Sequence, residues 1–373
     1  MTGLLRTPPA APAHHSPMFS LIRSNQRKSA ILIVLMGVLF LMIGFGLGGW
    51  IDPRAGLSGL GIAFVLWLIL LLISYAGGES MLMAQAGGRE IVKQDAPQLF
   101  NVVEEMTIAA GLAQPPKIFI IDSTVPNAFA VGRNDQRAAV AVTTGLLARL
   151  NRDELQGVIA HEIAHIKHRD TLFMTIAGTT LGAVIIIADL FLRGLRFQAA
   201  TSRRNSKDSA GGLALMLILA LLFAVIAPLL ARLLYFACSR RREYLADAGS
   251  AQFTRYPEGL ASALEKISGA QVNDGHINRV LEPMYIISPQ AARGKSSGLF
   301  STHPSTEERV RILRGMSGDS SLLAYEKAFS KLNAGKTILK DVPEDTPEQP
   351  TRPQHSRIKS QFHSPSAGAQ RAV

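Results

Sequence analysis

Apolar positions recur along this chain on three length scales, and each scale predicts a different element. Ile31 to Trp50 is a nearly unbroken apolar run of 20 residues, about the length a helix needs to cross the hydrocarbon of a bilayer. The turn Asp52-Pro53-Arg54 separates it from a second run of similar length, Leu57 to Ala76, so the two are expected as a transmembrane hairpin. Two later runs, Thr171 to Leu192 and Gly212 to Phe236, are also long enough to span, although Asp189 and Pro228 interrupt them. About four hydrophobic membrane helices are therefore expected.

Between the second and third runs the pattern shortens to that of a folded domain. Leu99, Val102, Val103 and Met106 recur at helical spacing and predict a helix over Pro97 to Gly111. After Pro115-Pro116, the β-rich stretch Lys117 to Ile121 predicts a strand. Asn127 to Val131 and Ala138 to Val142 predict two more, joined through Gly132, Asn134 and Asp135. The edge of such a small sheet can take an extended peptide by strand addition; an ordinary structural hairpin fits the pattern equally well.

Asn151 to His168 reads as one amphipathic helix. Asn151 can cap its first turn and Glu154 can reach back to the cap, while Leu155, Val158, Ile159 and Ile166 form the stripe that faces a core. His161 and His165 lie four residues apart, one turn above the other, so both imidazoles can point at one zinc ion. Glu162 is turned about 100° from His161 and falls on the apolar stripe, where a carboxylate is costly unless it is paired or working. A zinc-bound water beside it, whose proton it takes, would justify the position. His168 is seven residues from His161, roughly 10 Å along the axis, so one tetrahedral ion cannot take both; it reads as a surface or helix-end histidine.

A third protein ligand is required, and Ser239-Arg-Arg-Arg-Glu243-Tyr-Leu-Ala-Asp247 supplies a candidate. Glu243 and Asp247 are one turn apart on a predicted helix. Glu243 would complete a two-His, one-Glu site with a position left for water, and Asp247 could accept the other ring N–H of a ligating histidine. A solvated acidic pair among arginines is the alternative.

Composition sharpens this picture. The chain has 373 residues, is 47% hydrophobic and has a mean hydropathy of +0.19, which fits a membrane protein carrying a polar domain. The formal charge is +11, but the basic residues gather beside apolar runs (Arg23, Arg27, Lys28; Arg240, Arg241, Arg242) and no nucleic-acid motif accompanies them. They predict a cytoplasmic N-terminus and a chain that returns to the cytoplasm after Ala76. Arg193, Arg196, Arg203, Arg204 and Lys207 conflict with an external loop between the last two runs, so these runs cross the membrane, are re-entrant or pack on the soluble domain, and all three arrangements stay open. The single cysteine, Cys238, makes no internal disulfide.

Taken together, Asn127-Ala-Phe-Ala with Gly132, Thr143-Thr-Gly-Leu-Leu147, Asn151-Arg-Asp-Glu154, His161-Glu-Ile-Ala-His165, Arg242-Glu243-Tyr-Leu-Ala-Asp247-Ala-Gly-Ser-Ala and Ser301-Thr-His303-Pro304 resemble the HtpX-like membrane zinc metallopeptidases, relatives of the CAAX prenyl proteases. The resemblance covers roughly residues 18 to 316. It implies an α+β membrane protein, with a mainly helical, gluzincin-like metallopeptidase domain, a small β-sheet and the hydrophobic helices. It also implies one Zn²⁺ per chain at His161, His165 and Glu243, with Glu162 as general base and acid. Asn127, Ala128 and Phe129 correspond to the substrate-binding edge strand, and His303 and Arg309 to a late segment that lies close to the site in relatives. The implied partners are polypeptides, membrane proteins among them, and the lipid bilayer, at the inner membrane of a bacterium with the active site facing the cytoplasm.

The expected organisation is a disordered extension over 1–17 (with Met18 a candidate start), a transmembrane hairpin over 18–76, a first part of the peptidase domain over 77–170, two hydrophobic segments over 171–236, a second part over 237–336 and a disordered polar tail over 337–373. Two other functions compete with peptide hydrolysis: a catalytically inactive membrane scaffold with a structural or regulatory metal site, and a transporter using Asp189.

Overall fold

The computed structural model describes residues 17–201, 240–270, 284–287 and 304–339, with positions 226, 229 and 281. The N-terminal extension up to residue 16, all but two positions of Gly212 to Phe236, His303 and the tail from residue 340 lie outside the described residues.

Helices α1 (Pro17–Ile51) and α2 (Gly56–Gln85) form a tight hairpin. Their crossing is close because Gly44, Gly48 and Gly59 carry no side chain: a Cβ at Gly44 would lie 2.3 Å from the Ala63 Cβ. Ile31, Val34, Val38, Met42 and Phe45 of α1, with Ile62, Val65, Ile69 and Leu72 of α2, point outward. Exposed in water this apolar area would cost about 25 cal/mol per Å², so it marks a lipid-facing surface. Among the described residues these two helices are long and apolar enough to cross a membrane. Both run past the apolar stretch into the polar domain, so α1 begins 14 residues before Ile31.

Four strands make a mixed sheet in the order β1-β2-β4-β3: β1 (Gly88–Glu90), β2 (Lys117–Ile121), β3 (Ala128–Asn134) and β4 (Arg137–Thr143). β2 and β4 are parallel, and the other pairs antiparallel. β1, three residues long and without apolar alternation, has no sequence signal. Both faces of the sheet are buried. Phe119, Ile121, Phe129, Val131, Ala139 and Ala141 pack with Phe40, Leu70, Leu82 and Met83 of the hairpin. The alternate residues Ile118, Ala128, Ala130, Ala138, Val140 and Val142 pack on the opposite side, against a layer of helices.

That layer contains α3 (Pro97–Ala110), the short α4 (Thr144–Leu147), α5 (Arg152–Lys167), α7 (Arg240–Thr254), α8 (Pro257–Ser268), α9 (Thr306–Arg314) and α10 (Leu322–Leu332). The expected cap of α5 is present, with Asn151 and Glu154 closing a capping box, and Gly111, expected as the last residue of α3, instead follows it in the left-handed conformation. Glu154 also accepts from Ser262 and Lys266, pinning α8 to the start of α5. Ile338, inside the stretch expected to be a disordered polar tail, is instead buried. Its carbonyl accepts from Arg241 and its N–H donates to Glu326. An apolar Ile-Leu pair at the start of the tail has a core to join.

α6 (Thr171–Thr201) occupies the third apolar run, but its first half is a core helix rather than a lipid-facing one. Phe173, Met174, Ile176, Ala177, Leu181 and Val184 are buried among α2, the hairpin and the sheet. Thr171 donates to the Gly132 carbonyl, and the Gly132 N–H donates to Thr175. Gly132 has φ +139° at a bulge where a Cβ would meet the Arg137 carbonyl oxygen at 2.3 Å, so only glycine serves there.

Candidate metal centre

α5 crosses the domain centre with every residue from Gly157 to Ile166 buried. α7 lies against it closely enough that a Cβ on Gly249 would sit 2.7 Å from the Ala164 Cβ. This contact brings Glu243, near the head of α7, over the His161 and His165 turn of α5.

One ligand atom each from His161, His165 and Glu243 lies within 4.8 Å of the others. The two Nε2 atoms are 3.1 Å apart, and each is 3.7 Å from a Glu243 carboxylate oxygen. Two ligands at about 2.0–2.1 Å from a tetrahedral zinc are separated by about 3.3 Å, so the donors are spaced for one ion. Their other ring nitrogens are also provided for. His161 Nδ1 lies 2.9 Å from Asp247, and His165 Nδ1 lies 3.0 and 3.1 Å from the two oxygens of Asp170. In the neutral rings, a proton kept at Nδ1 beside each carboxylate would leave the Nε2 lone pairs for a metal.

Glu162 is 1% exposed, and neither of its carboxylate oxygens has a hydrogen-bond partner. Burial raises its pKa, opposed by His161 and His165. His161 is depressed by burial, but Asp247 and Glu243 outweigh that and lift it to about 9 in the metal-free protein. Glu162, His165 and Glu243 line a cavity of about 10 Å³, room for roughly one water, closed by Met284, Tyr285 and Ile286.

Asp247 is held by Arg309, which donates to both of its oxygens at 2.7 and 2.8 Å and to the Ile286 carbonyl at 2.9 Å. Tyr325 Oη donates to the same carboxylate at 3.4 Å. Asp170 lies 3.2 Å from Arg242 Nε and stays below the usual carboxylate range: burial raises it, and Arg242 and His165 more than reverse that. Asp170, Arg242 and Tyr325 carried no sequence signal of a site role. Asp170 is turned onto His165 by Arg169, whose φ of +56° ends α5 and starts the 89° bend into α6.

His168 caps the C-terminus of α5 but is not on the surface: it is 4% exposed, and burial depresses it to about 4. The start of α6 and the close-packed α7 cover a position that would be free on an isolated helix.

β3 is an edge strand, as the sequence suggested, yet its edge is in use. Ala128 carbonyl accepts from Ile286 N–H at 3.1 Å, and Asn127 Nδ2 donates to the Ile287 carbonyl at 2.9 Å. The Phe129 side chain points to the membrane-helix face, edge-on to Tyr285, and Ala130 lines the metal pocket.

A buried His-Glu-x-x-His helix facing a glutamate on a second helix defines a metallopeptidase, and sequence comparisons agree. Residues 93–317 match the family described as peptidase family M48. The chain is 40% identical over 308 residues to a "Protease HtpX homolog" of Dictyoglomus thermophilum, covering 83% of this chain and 98% of that one. It is 38% identical over 305 residues to a protein of the same name from Listeria monocytogenes, covering 80% and 100%. A solved structure, Ste24p of S. mikatae, aligns with 79% of this chain and 67% of its own at 17% identity and a TM-score of 0.38. The chain belongs to peptidase family M48 and, within it, to the HtpX-like proteases. It is a membrane metallopeptidase acting on polypeptides.

Proposed function

We propose that the protein is a zinc-dependent endopeptidase of the bacterial cytoplasmic (inner) membrane, multi-pass, which cleaves misfolded or damaged membrane proteins at the cytoplasmic face. His161, His165 and Glu243 would hold one Zn²⁺. When bound, the ion polarises the scissile carbonyl and brings the pKa of a coordinated water to about 7. Glu162 takes the proton of the attacking water and returns it to the departing amine. The backbone edge of β3, from Asn127 to Phe129, receives the peptide by strand addition. Asp247 and Arg309 orient His161. His303 is assigned near the site by resemblance alone.

The observation that carries this reading is the unpartnered, fully buried Glu162 carboxylate beside three converging ligand atoms. Such a carboxylate is expensive in a structural site and useful in a hydrolytic one. The cytoplasmic placement is supported by Asn25 near the start of α1, which donates to the His168 carbonyl and so joins the metal helix to the end of α1 that carries Arg23, Arg27 and Lys28.

Zinc content, self-cleavage and casein cleavage in detergent, measured for wild type and Glu162→Gln together, test the assignment. Zinc in both with proteolysis in wild type alone is the expected result. Normal turnover by Glu162→Gln would remove Glu162 from the mechanism.

A further inference from the structure

Each histidine of the centre is backed by a carboxylate, and each carboxylate by an arginine, but the two chains of contacts run to different parts of the molecule. His161 leads through Asp247 to Arg309, so it is anchored within the helical layer, from α7 to α9. His165 leads through Asp170 to Arg242. Asp170 stands at the corner between α5 and α6, one residue ahead of the helix that packs on α2 and the sheet. Arg242 immediately precedes Glu243 in the chain.

We infer that Asp170 is a positioning residue of the metal centre, which sets the ring of His165 and, through Arg242, the head of the helix that carries Glu243. This rests on the metal reading above. Three observations support it. Both Asp170 oxygens lie within 3.1 Å of His165 Nδ1, so rotation of the carboxylate does not break the contact. The carboxylate is 5% exposed and has Arg242 Nε 3.2 Å away, so it is held between the imidazole and a guanidinium rather than by solvent. Its backbone is fixed as well: the Asp170 N–H donates to the His165 carbonyl, and its neighbour Arg169 is tied to Asp135 in the β3–β4 turn at 2.9 Å. One carboxylate thus sets two of three ligands lying on separate helices, and its own position is set by the sheet and by α6.

A carboxylate that orients a metal-binding histidine contributes about 10- to 100-fold to metal affinity, which gives the expected size of the effect. The test is zinc affinity of the full-length protein in detergent, by competition with a chromophoric chelator, for wild type, Asp170→Asn and Asp170→Ala. The visible spectrum of Co²⁺-loaded protein and the thermal unfolding of each metal-free form are recorded in parallel. Asp170→Ala should bind zinc about 10- to 100-fold more weakly, with a shifted cobalt spectrum. Asp170→Asn, which keeps the shape and one acceptor oxygen, should fall between it and wild type. If Asp170→Ala fails to fold, Asp170→Asn alone decides the matter through the same two readouts. Wild-type zinc affinity and an unchanged cobalt spectrum in a variant whose metal-free unfolding temperature has dropped would overturn the inference and leave Asp170 a purely structural residue. A wild type that binds no zinc would instead overturn the metal reading itself.

Discussion

Arg309 and Asp247, 62 residues apart in sequence, form a two-pronged ion pair in which both side chains are essentially inaccessible to water. The attraction of such a pair roughly offsets its desolvation, whereas the loss of one partner leaves a bare buried charge. Arg309→Met is therefore expected to destabilise the protein by about 3–5 kcal/mol, and Arg309→Met with Asp247→Asn by distinctly less. Denaturant unfolding of the metal-free forms in detergent checks this; an additive double variant would contradict it.

The His161 pKa of about 9 in the metal-free protein gives zinc binding a definite pH dependence. A ligating histidine must lose its proton, so apparent affinity should fall by up to about tenfold for each pH unit below 9. The metal-free fold responds in the opposite sense. Because the folded pKa lies above the free value of 6.5, the stabilisation from protonated His161 is full below pH 6.5 and is lost as pH rises through about 9. Isothermal titration with zinc from pH 6 to 9, and melting of the chelator-treated protein over the same range, should show the two trends crossing.

A peptide that adds to β3 must take the place of residues 284–287. Ile286→Pro removes the N–H that Ala128 accepts and weakens the hold of this segment without touching a ligand. KM for an unfolded protein substrate should fall severalfold while zinc content stays at the wild-type level. A raised KM would mean that the segment helps to form the substrate site.

Gly249→Val places a branched side chain against Ala164 at a contact with no space for it. Overpacking of this kind costs about 1–3 kcal/mol, and here it also pushes Glu243 away from the histidines. Reduced stability together with reduced zinc content is expected, read by unfolding and metal analysis of the same samples.

The centre was legible in the sequence wherever one helix carries it. Asn151, Glu154, His161, Glu162 and His165 follow from capping and a period of 3.6, and Glu243 with Asp247 from a single turn of a second helix. Asp170 and Tyr325 reach the site across a corner and between helices, where no period links them to the ligands, and Arg242, although beside Glu243, acts on Asp170 across the same gap. The same limit applies to His168, which a single helix leaves exposed and the bend into α6 buries. It applies also to α6, whose apolar run fits a membrane span, a re-entrant segment and packing on the domain alike; its first half takes the last of these. A hydropathy pattern says that a face is covered, and not by what.

Phe129 and Ala130 are consecutive on β3, yet one packs with the membrane hairpin and the other lines the metal pocket. The wall between bilayer-side packing and the catalytic chamber is thus a single strand thick. Close-packed side chains have little free volume in which to absorb displacement. A displacement of α2 against the sheet would therefore meet the chamber wall one peptide unit away. Cutting the hairpin away would take Phe40, Leu70, Leu82 and Met83 from the cluster around Phe119, Phe129 and Val131 and leave that face of the sheet mainly to α6.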